Sequence, residues 1–345
     1  MTQYFIRRLL LIVPTFIGIT ILVFVITRFV PGGPIERMIA EVQQAAMQGG
    51  AGTMQSTTSG IGGATLDEDQ IRQLEQYYGF DKPVLVSYWD WLIKVVQFDL
   101  GVSTRYSEPV WDTIRERLPV SAFYGITTML ITYFISIPLG YLKAIRHNSH
   151  FDHASSVVVF IGYAIPSYVV GIILLVVFAS NLEWFPMGGF YGDDFDDLES
   201  KWEQAADVFY HAALPLMAYV AGSFAVMTFM MKNALMDNLA ADYVRTAIAK
   251  GMPFREAITR HAMRNSLIPI ATHFGNNISV IIGGSFLIEK IFNIDGLGLL
   301  GYESIVERDY PIVMGVLVIS AILQLVGNIL SDICVAVVDP RVQFR

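Results

Sequence analysis

Three histidines recur at even spacing in the stretch RHNSHFDHASS: His147, His150 and His153, with Asp152 among them. On a helix, residues three apart share a face, so two imidazoles and a carboxylate there have the donor set for zinc or nickel. The same residues also suit a polar turn whose histidines ligate nothing. A second cluster, GDDFDDLES, brings together Asp193, Asp194, Asp196, Asp197 and Glu199. Its oxygens are of the kind that hold calcium, but the spacing fits no EF-hand, and a solvated acidic loop is the simpler reading. Gly296, Gly298 and Gly301 in GLGLLG spell GxGxxG. That run follows no predicted strand and opens no βαβ unit, so it reads as a glycine-rich turn rather than a dinucleotide site. The chain contains no GxxxxGK[ST] and no HExxH, and its apolar runs hold no acid pair. Phosphate-loop, metalloprotease and intramembrane proton-relay chemistry therefore lack their groups. No catalytic residue and no metal ligand is assigned, and the chain is expected not to be an enzyme.

The elements that would position these residues are those of a membrane protein. Of the 345 residues 54% are apolar, and only 16% are charged, against about 25% in an average soluble domain; the mean hydropathy is +0.50. Six runs carry no Asp, Glu, Lys or Arg: Leu9–Thr27, Leu118–Leu142, Ala154–Leu182, Val208–Met231, Asn265–Ile288 and Tyr310–Ser331. They are 19, 25, 29, 24, 24 and 22 residues long, and a helix needs about 20 apolar residues to cross a bilayer core of roughly 30 Å. A seventh charge-free run, Val42–Leu66, is polar and glycine-rich and reads as loop. The first run follows Arg7 and Arg8, as a cleaved signal would, but it is long and no small-x-small site follows, so it is read as a retained span. Cys334 is the only cysteine, so no intrachain disulfide can form, and it reads as a small packing residue.

Lys and Arg set the orientation. With a cytoplasmic N-terminus, 12 of the 23 basic residues fall in the inside segments. The short outside loops 183–207 and 289–309 then hold only Lys201, Lys290 and Arg308, as the positive-inside rule requires. The expected architecture is an all-α integral membrane protein with six transmembrane helices and both termini cytoplasmic. Residues 1–30 form the N-terminal segment and first span, 31–117 a small, mostly helical extracytoplasmic domain, 118–335 a five-helix core, and 336–345 the cytoplasmic tail. In the external domain, Thr65-Leu66-Asp67-Glu68 has the form of a capping box. The later segment KPVLVSYWDWLIKVVQFDLG is aromatic and amphipathic, suited to packing on a neighbouring helix or lying on a membrane surface.

The largest cytoplasmic segment is the loop 232–266. Within it, Tyr243 to Gly251 makes a short amphipathic helix stopped by glycine, and a second basic helix follows Pro253. Two such helices form either a rigid docking knob or a basic loop held on anionic headgroups. Pro138 and Pro166 lie inside the second and third runs, where proline permits a kink. Gly283 and Gly284 in the fifth run permit a bend or close helix approach, and Asn276, Asn277 and Ser279 either line a pathway or serve helix packing.

VRTAIAKG through RHAMRNSLIP closely resembles the cytoplasmic EAA-type loop of ATP-binding-cassette import permeases. Further similar stretches are YFIRRLLLIVPTFIGITILVFVITRFVPGGP, YGFDKP, FDLGVS, RLPVS, IPLG, AIPSYVVGIILL, FPMGG, RDYP and VDPRVQF, which together cover nearly the whole chain. They look like the peptide and nickel group. The glycine-rich insert and GLGLLGYE look most like the first permease subunit of Yej-type oligopeptide importers. One departure is Arg245-Thr246-Ala247 where the general loop has Glu-Ala-Ala; Gly251 is kept.

The resemblance implies the six-helix type I importer permease fold in a bacterial inner membrane. It implies a second homologous permease subunit, an external (periplasmic) peptide-binding protein, and two cytoplasmic ATPase subunits, separate or fused, which carry ATP and magnesium. This chain itself would hold no cofactor and bind no nucleic acid. Asp242, Tyr243, Val244, Arg245, Thr246, Ala247, Ala249, Lys250 and Gly251 become the coupling helix that docks on an ATPase. The implied cargo is oligopeptide, peptide antibiotics included. A nickel or metal-chelate permease on the same scaffold, and a channel or scaffold independent of ATP, are the alternatives.

Overall fold

The computed structural model describes residues 2–29, 81–274 and 285–338. The glycine-rich run 42–66, the capping box at Thr65, and Asn276, Asn277, Ser279, Gly283 and Gly284 lie outside the described residues. Within them the regular structure is helical, with one isolated bridge between Val102 and Pro109. A chain in hydrocarbon has no water to satisfy its backbone, and a helix closes every peptide hydrogen bond within itself.

The first helices are α1 (Thr2–Phe29), α2 (Val84–Val96) and α3 (Val110–Ile145). Next come α4 (His150–Ala164) and α5 (Ser167–Leu174), the latter continued by a π-helical stretch, Leu175–Asn181. α6, Lys201–Ala240, is 40 residues long, roughly 60 Å at the helical rise. It opens on a capping box in which Ser200 Oγ accepts the Trp202 N–H and the Glu203 carboxylate accepts the Ser200 N–H, each at 3.2 Å.

Among the described residues three helices, α3, α6 and α13 (Tyr310–Val338), are long and apolar enough to cross a membrane, or four if α4 and α5 together form one bent span. The apolar part of α1, Leu10–Ile26, is shorter. The expected count of six rests further on this stretch and on the run 265–288, part of which is not described. The helices also overrun their charge-free runs: α6 extends past 208–231 at both ends, because charged residues propagate a helix once it leaves the hydrocarbon.

The third run, 154–182, is not one straight helix. It breaks at Ile165-Pro166, and its halves are bent by 96°. Proline pushes the residue before it out of the helical region, and Ile165 is extended at φ −91°, ψ 122°. Pro138, by contrast, lies within an unbroken α3. The glycine run expected as a turn instead leads into a helix: Gly296 precedes α12 (Leu297–Val306), which contains Gly298 and Gly301.

The chain divides into two units. One comprises residues 13–114 with 303–319. In it Phe24 of α1 meets Tyr88 and Trp91 of α2 with ring centroids 5.5 and 5.6 Å apart, and Thr20 Oγ1 lies 3.0 Å from the Tyr88 hydroxyl. The amphipathic segment thus packs on a neighbouring helix. Asp309 accepts the Ser103 hydroxyl and the Arg105 N–H, while the Arg105 guanidinium reaches Glu303 and Glu307 at 3.0 and 2.9 Å.

The other unit, residues 1–12, 115–302 and 320–345, has two apolar clusters. The first joins Tyr124, Leu174, Leu216, Ala218, Ile288 and Phe292. The second joins Met231 and Leu235 of α6 to Val244, Ala257, Ile258 and Ile270 in the segments that follow.

Candidate coupling surface

α6 does not trail into a loop. Ala241 alone, at φ −72° and ψ 146°, turns the chain before α7, Asp242–Ala249, begins. One extended residue between two helices makes a stiff corner. Beyond α7, Gly251 adopts φ +90°. The Gly251 N–H donates to the Ile248 carbonyl at 2.9 Å and the Met252 N–H to the Ala247 carbonyl at 3.2 Å. These two bonds form a Schellman cap, whose left-handed residue is most easily glycine. After Pro253 come α8 (Phe254–Ala257), a π-helical turn (Ile258–Ala262) and α9 (Met263–Ser266), and then helix α10, 268–274.

Hydrophobic burial holds this knob to α6. Val244 is 0% exposed, and it packs with Leu235, Met231, Ala257, Ile258 and Ala262. A polar seam adds direction. The Tyr243 hydroxyl donates to Asn238 Oδ1, and Asn265 Nδ2 donates to the same hydroxyl at 3.0 Å. Asn238 Nδ2 donates to the Ala234 carbonyl at 2.7 Å, with Ser266 Oγ 3.2 Å away. The Arg264 Nε–H donates to the Val338 carbonyl at 2.8 Å, which engages the end of α13.

The expected coupling residues therefore separate into two groups. Val244 faces inward as the anchor, and Ala247 is half-buried. Asp242, Tyr243, Arg245, Thr246, Ala249, Lys250 and Gly251 are exposed, together with Ile248 and Phe254, which the sequence reading did not single out. The outer face is thus basic, with two apolar side chains.

A family model described as the inner membrane component of binding-protein-dependent transport systems matches residues 136–344. The chain belongs to this permease family. The match begins in α3 and takes in the knob. The peptidoglycan transport system permease protein YejB of Agrobacterium fabrum is 40% identical to this permease over 361 residues, covering 100% of this chain and 99% of the relative. The inner membrane ABC transporter permease protein YejB of Escherichia coli O157:H7 is 39% identical, with all of both chains covered. The oligopeptide transport system permease protein AppB of Bacillus subtilis is 36% identical, again with all of both chains covered.

Two buried polar sites in the permease escaped the sequence reading. Asp152, considered there beside three histidines, is instead bound by two lysines: Lys232 Nζ lies 2.8 Å from both carboxylate oxygens, and Lys143 Nζ lies 3.1 Å from Oδ1. His147 comes within 3.4 Å of the same carboxylate, and no group of three or more His, Cys, Asp or Glu side chains among the described residues is placed to hold a metal. The second site is Glu289 in α11 (Phe286–Ile291), one residue past the fifth charge-free run. Its carboxylate accepts the Leu299 N–H at 2.6 Å and lies 3.5 Å from the Tyr219 hydroxyl. Burial pushes its carboxyl up to about 7, against the lowering effect of the Leu299 and Gly298 N–H groups. In GLGLLG, the helix N-terminus that would face a phosphate in a nucleotide site meets the chain's own carboxylate. A Cβ on Gly296 would lie 2.7 Å from that carboxylate, so glycine admits it.

Proposed function

We propose that this chain is the membrane-spanning permease subunit of an ATP-driven importer that carries oligopeptides across the inner membrane into the cytoplasm. The observation that carries the proposal is the corner at Ala241. A capped two-turn helix with an inward valine anchor and an exposed basic face is fixed to a helix long enough to cross the bilayer. A motor protein gripping that face would move the end of α6 as one piece, whereas a flexible loop would absorb the displacement. The family description adds dependence on a binding protein. The relatives' names, oligopeptide and peptidoglycan transport among them, supply the peptide class of cargo.

In this reading the knob is cytoplasmic, both termini lie on its side of the membrane, and a second homologous permease completes the pathway. Hydrolysis takes place in two ATPase subunits, separate or fused, which bind ATP and magnesium. This chain supplies no catalytic group. Exposed charge pairs give at most about 1 kcal/mol each, so the fit of Ile248 and Phe254 in the ATPase groove contributes more to docking than Arg245 or Lys250.

Co-purification tests the proposal. The tagged chain, extracted gently from its native membrane, should bring a second permease and ATPase subunits, and peptide-loaded binding protein should stimulate ATP hydrolysis. Uptake of labelled peptide compared with nickel then decides the cargo. A lone chain or homo-oligomer without ATPase activity would replace this reading with an ATP-independent channel or scaffold.

A further inference from the structure

Asp152 lies in the first turn of α4, where the Asn148 N–H donates to Oδ2 at 3.2 Å and the residue's own N–H donates to the Ser149 cap at 3.2 Å. From the last turn of α3, Lys143 reaches it fully buried, with Nζ 2.9 Å from the Asp152 carbonyl and 2.9 and 2.7 Å from the Ser155 and Ser156 hydroxyls. From α6, Lys232 reaches both carboxylate oxygens. One carboxylate thus joins three helices. Each charge also suits its helix end: the acid at the start of α4, Lys143 at the finish of α3.

The two lysines differ in what lies beyond them. α3 is unbroken past Pro138. Lys232 lies ten residues before Asp242, about 15 Å along the helix, and only Ala241 separates α6 from the knob. On the other side of the clamp, α4 runs to the 96° break at Ile165-Pro166. There glycines let α6 come close to the broken pair, and further back the Phe160 ring of α4 meets the Phe229 ring of α6 at 5.0 Å. A Cβ on Gly162 would lie 2.7 Å from the Phe224 ring, and one on Gly222 would lie 3.3 Å from Ser167 Cβ.

These contacts respond differently to displacement. Contacts between glycines and apolar rings have no fixed polar partner, so they give α6 freedom to shift against α4 and α5. A desolvated ion pair does not slide, because separating Lys232 from Asp152 strips both of a close counter-charge in a largely buried site.

We propose that the Asp152–Lys232 pair is the point at which movement of the cytoplasmic knob enters the broken span. Lys232 is a positioning residue that makes α4 follow α6, while Lys143 holds the same carboxylate to α3 and serves stability alone. This rests on the importer reading above and goes further by naming the pair that transmits the motion.

The two lysines offer a matched test in the complete complex, because removing either leaves Asp152 paired with the other. The measured quantity is labelled peptide transported per ATP hydrolysed, in proteoliposomes with peptide-loaded binding protein. Lys232→Met should lower that ratio tenfold or more while ATP hydrolysis by the assembled complex stays within about twofold. Lys143→Met should reduce the yield of assembled complex and leave the ratio unchanged. Loss of stability lowers yield without changing the ratio, so an unchanged ratio in Lys232→Met, or an equal fall in both variants, overturns the proposal.

Hydrogen exchange on the wild-type complex needs no variant to fold. ATP binding should alter exchange in α7 and in the first turn of α4 together; a response in α7 with none in 150–156 overturns the assignment. Failure of the importer reading would show separately, as wild-type protein with no associated ATPase.

Discussion

The Glu289 carboxylate accepts the Leu299 N–H at 2.6 Å, so a side chain of α11 caps the first turn of α12. Its folded-state pKa of about 7 lies above the ordinary value of 4.5, because burial outweighs the cap. A carboxyl raised in this way gives stability that is full below the unfolded value and lost as pH rises through the folded one. The difference in melting temperature between wild type and Glu289→Gln, measured in detergent, should therefore favour wild type most near pH 5 and shrink by pH 8. A difference that stays constant over that range would show that Glu289 does not titrate there.

Gly251 stands at φ +90° with nothing within 4 Å of where a Cβ would be. A side chain there meets backbone strain of roughly 1–2 kcal/mol and no internal clash. Among non-glycine residues Asn tolerates this region best. Peptide uptake should fall in the order Gly251→Asn, Gly251→Asp, Gly251→Val, with membrane insertion retained in all three. Full uptake by the valine variant would remove the Schellman cap from the coupling mechanism.

A Cβ on Gly140 of α3 would lie 2.7 Å from Met231 Cβ and 2.8 Å from the Thr228 carbonyl of α6. Gly140→Ala forces the two helices apart and should destabilise the protein by about 1–3 kcal/mol. Gly18 of α1 has nothing within 4 Å, so Gly18→Ala should be neutral or slightly stabilising. Melting the two variants side by side checks the pair, and equal melting temperatures would contradict the close α3–α6 approach.

The Tyr243 hydroxyl ties α7 to Asn238 in α6 and Asn265 in α9. Tyr243→Phe keeps the ring and loses both bonds, each worth about 1 kcal/mol net. Amide exchange across 242–251 should quicken severalfold, with the core of α6 unchanged. Uniform acceleration through α6 would instead mean that the knob and the long helix unfold as one.

The apolar elements were legible because lipid imposes a crude rule, no charge over about 20 residues, and α3, α6 and α13 each contain such a run. Their ends were not, because a helix continues after its apolar run stops. The knob was legible because Gly251 and Pro253 are local punctuation. Its inward residue, Val244, is set by packing in a cluster that reaches from Ala144 to Ile270, which a nine-residue window does not contain. The Asp152 clamp was illegible for a further reason. Lys143 and Lys232 each border a charge-free run, where a lysine reads as a marker of the cytoplasmic side, and Asp152 and Lys232 are 80 residues apart. Sequence spacing offered Asp152 its nearest neighbours, the histidines, whereas folding delivered the lysines. At 165–166, proline chemistry pointed to the position, but proline restricts only the residue before it and does not by itself specify a bend of 96°.

The single-residue corner at Ala241 also bears on how this chain can change length over evolutionary time. Adding or deleting one residue between Lys232 and Asp242 would rotate the knob by about 100° about the α6 axis and shift it by about 1.5 Å. The clamp and the docking face would then point to different quarters of the molecule. Insertions should accumulate instead before Ser200, in the acidic loop outside that interval, and the ten-residue interval from clamp to corner should persist as a fixed ruler while the residues along it drift.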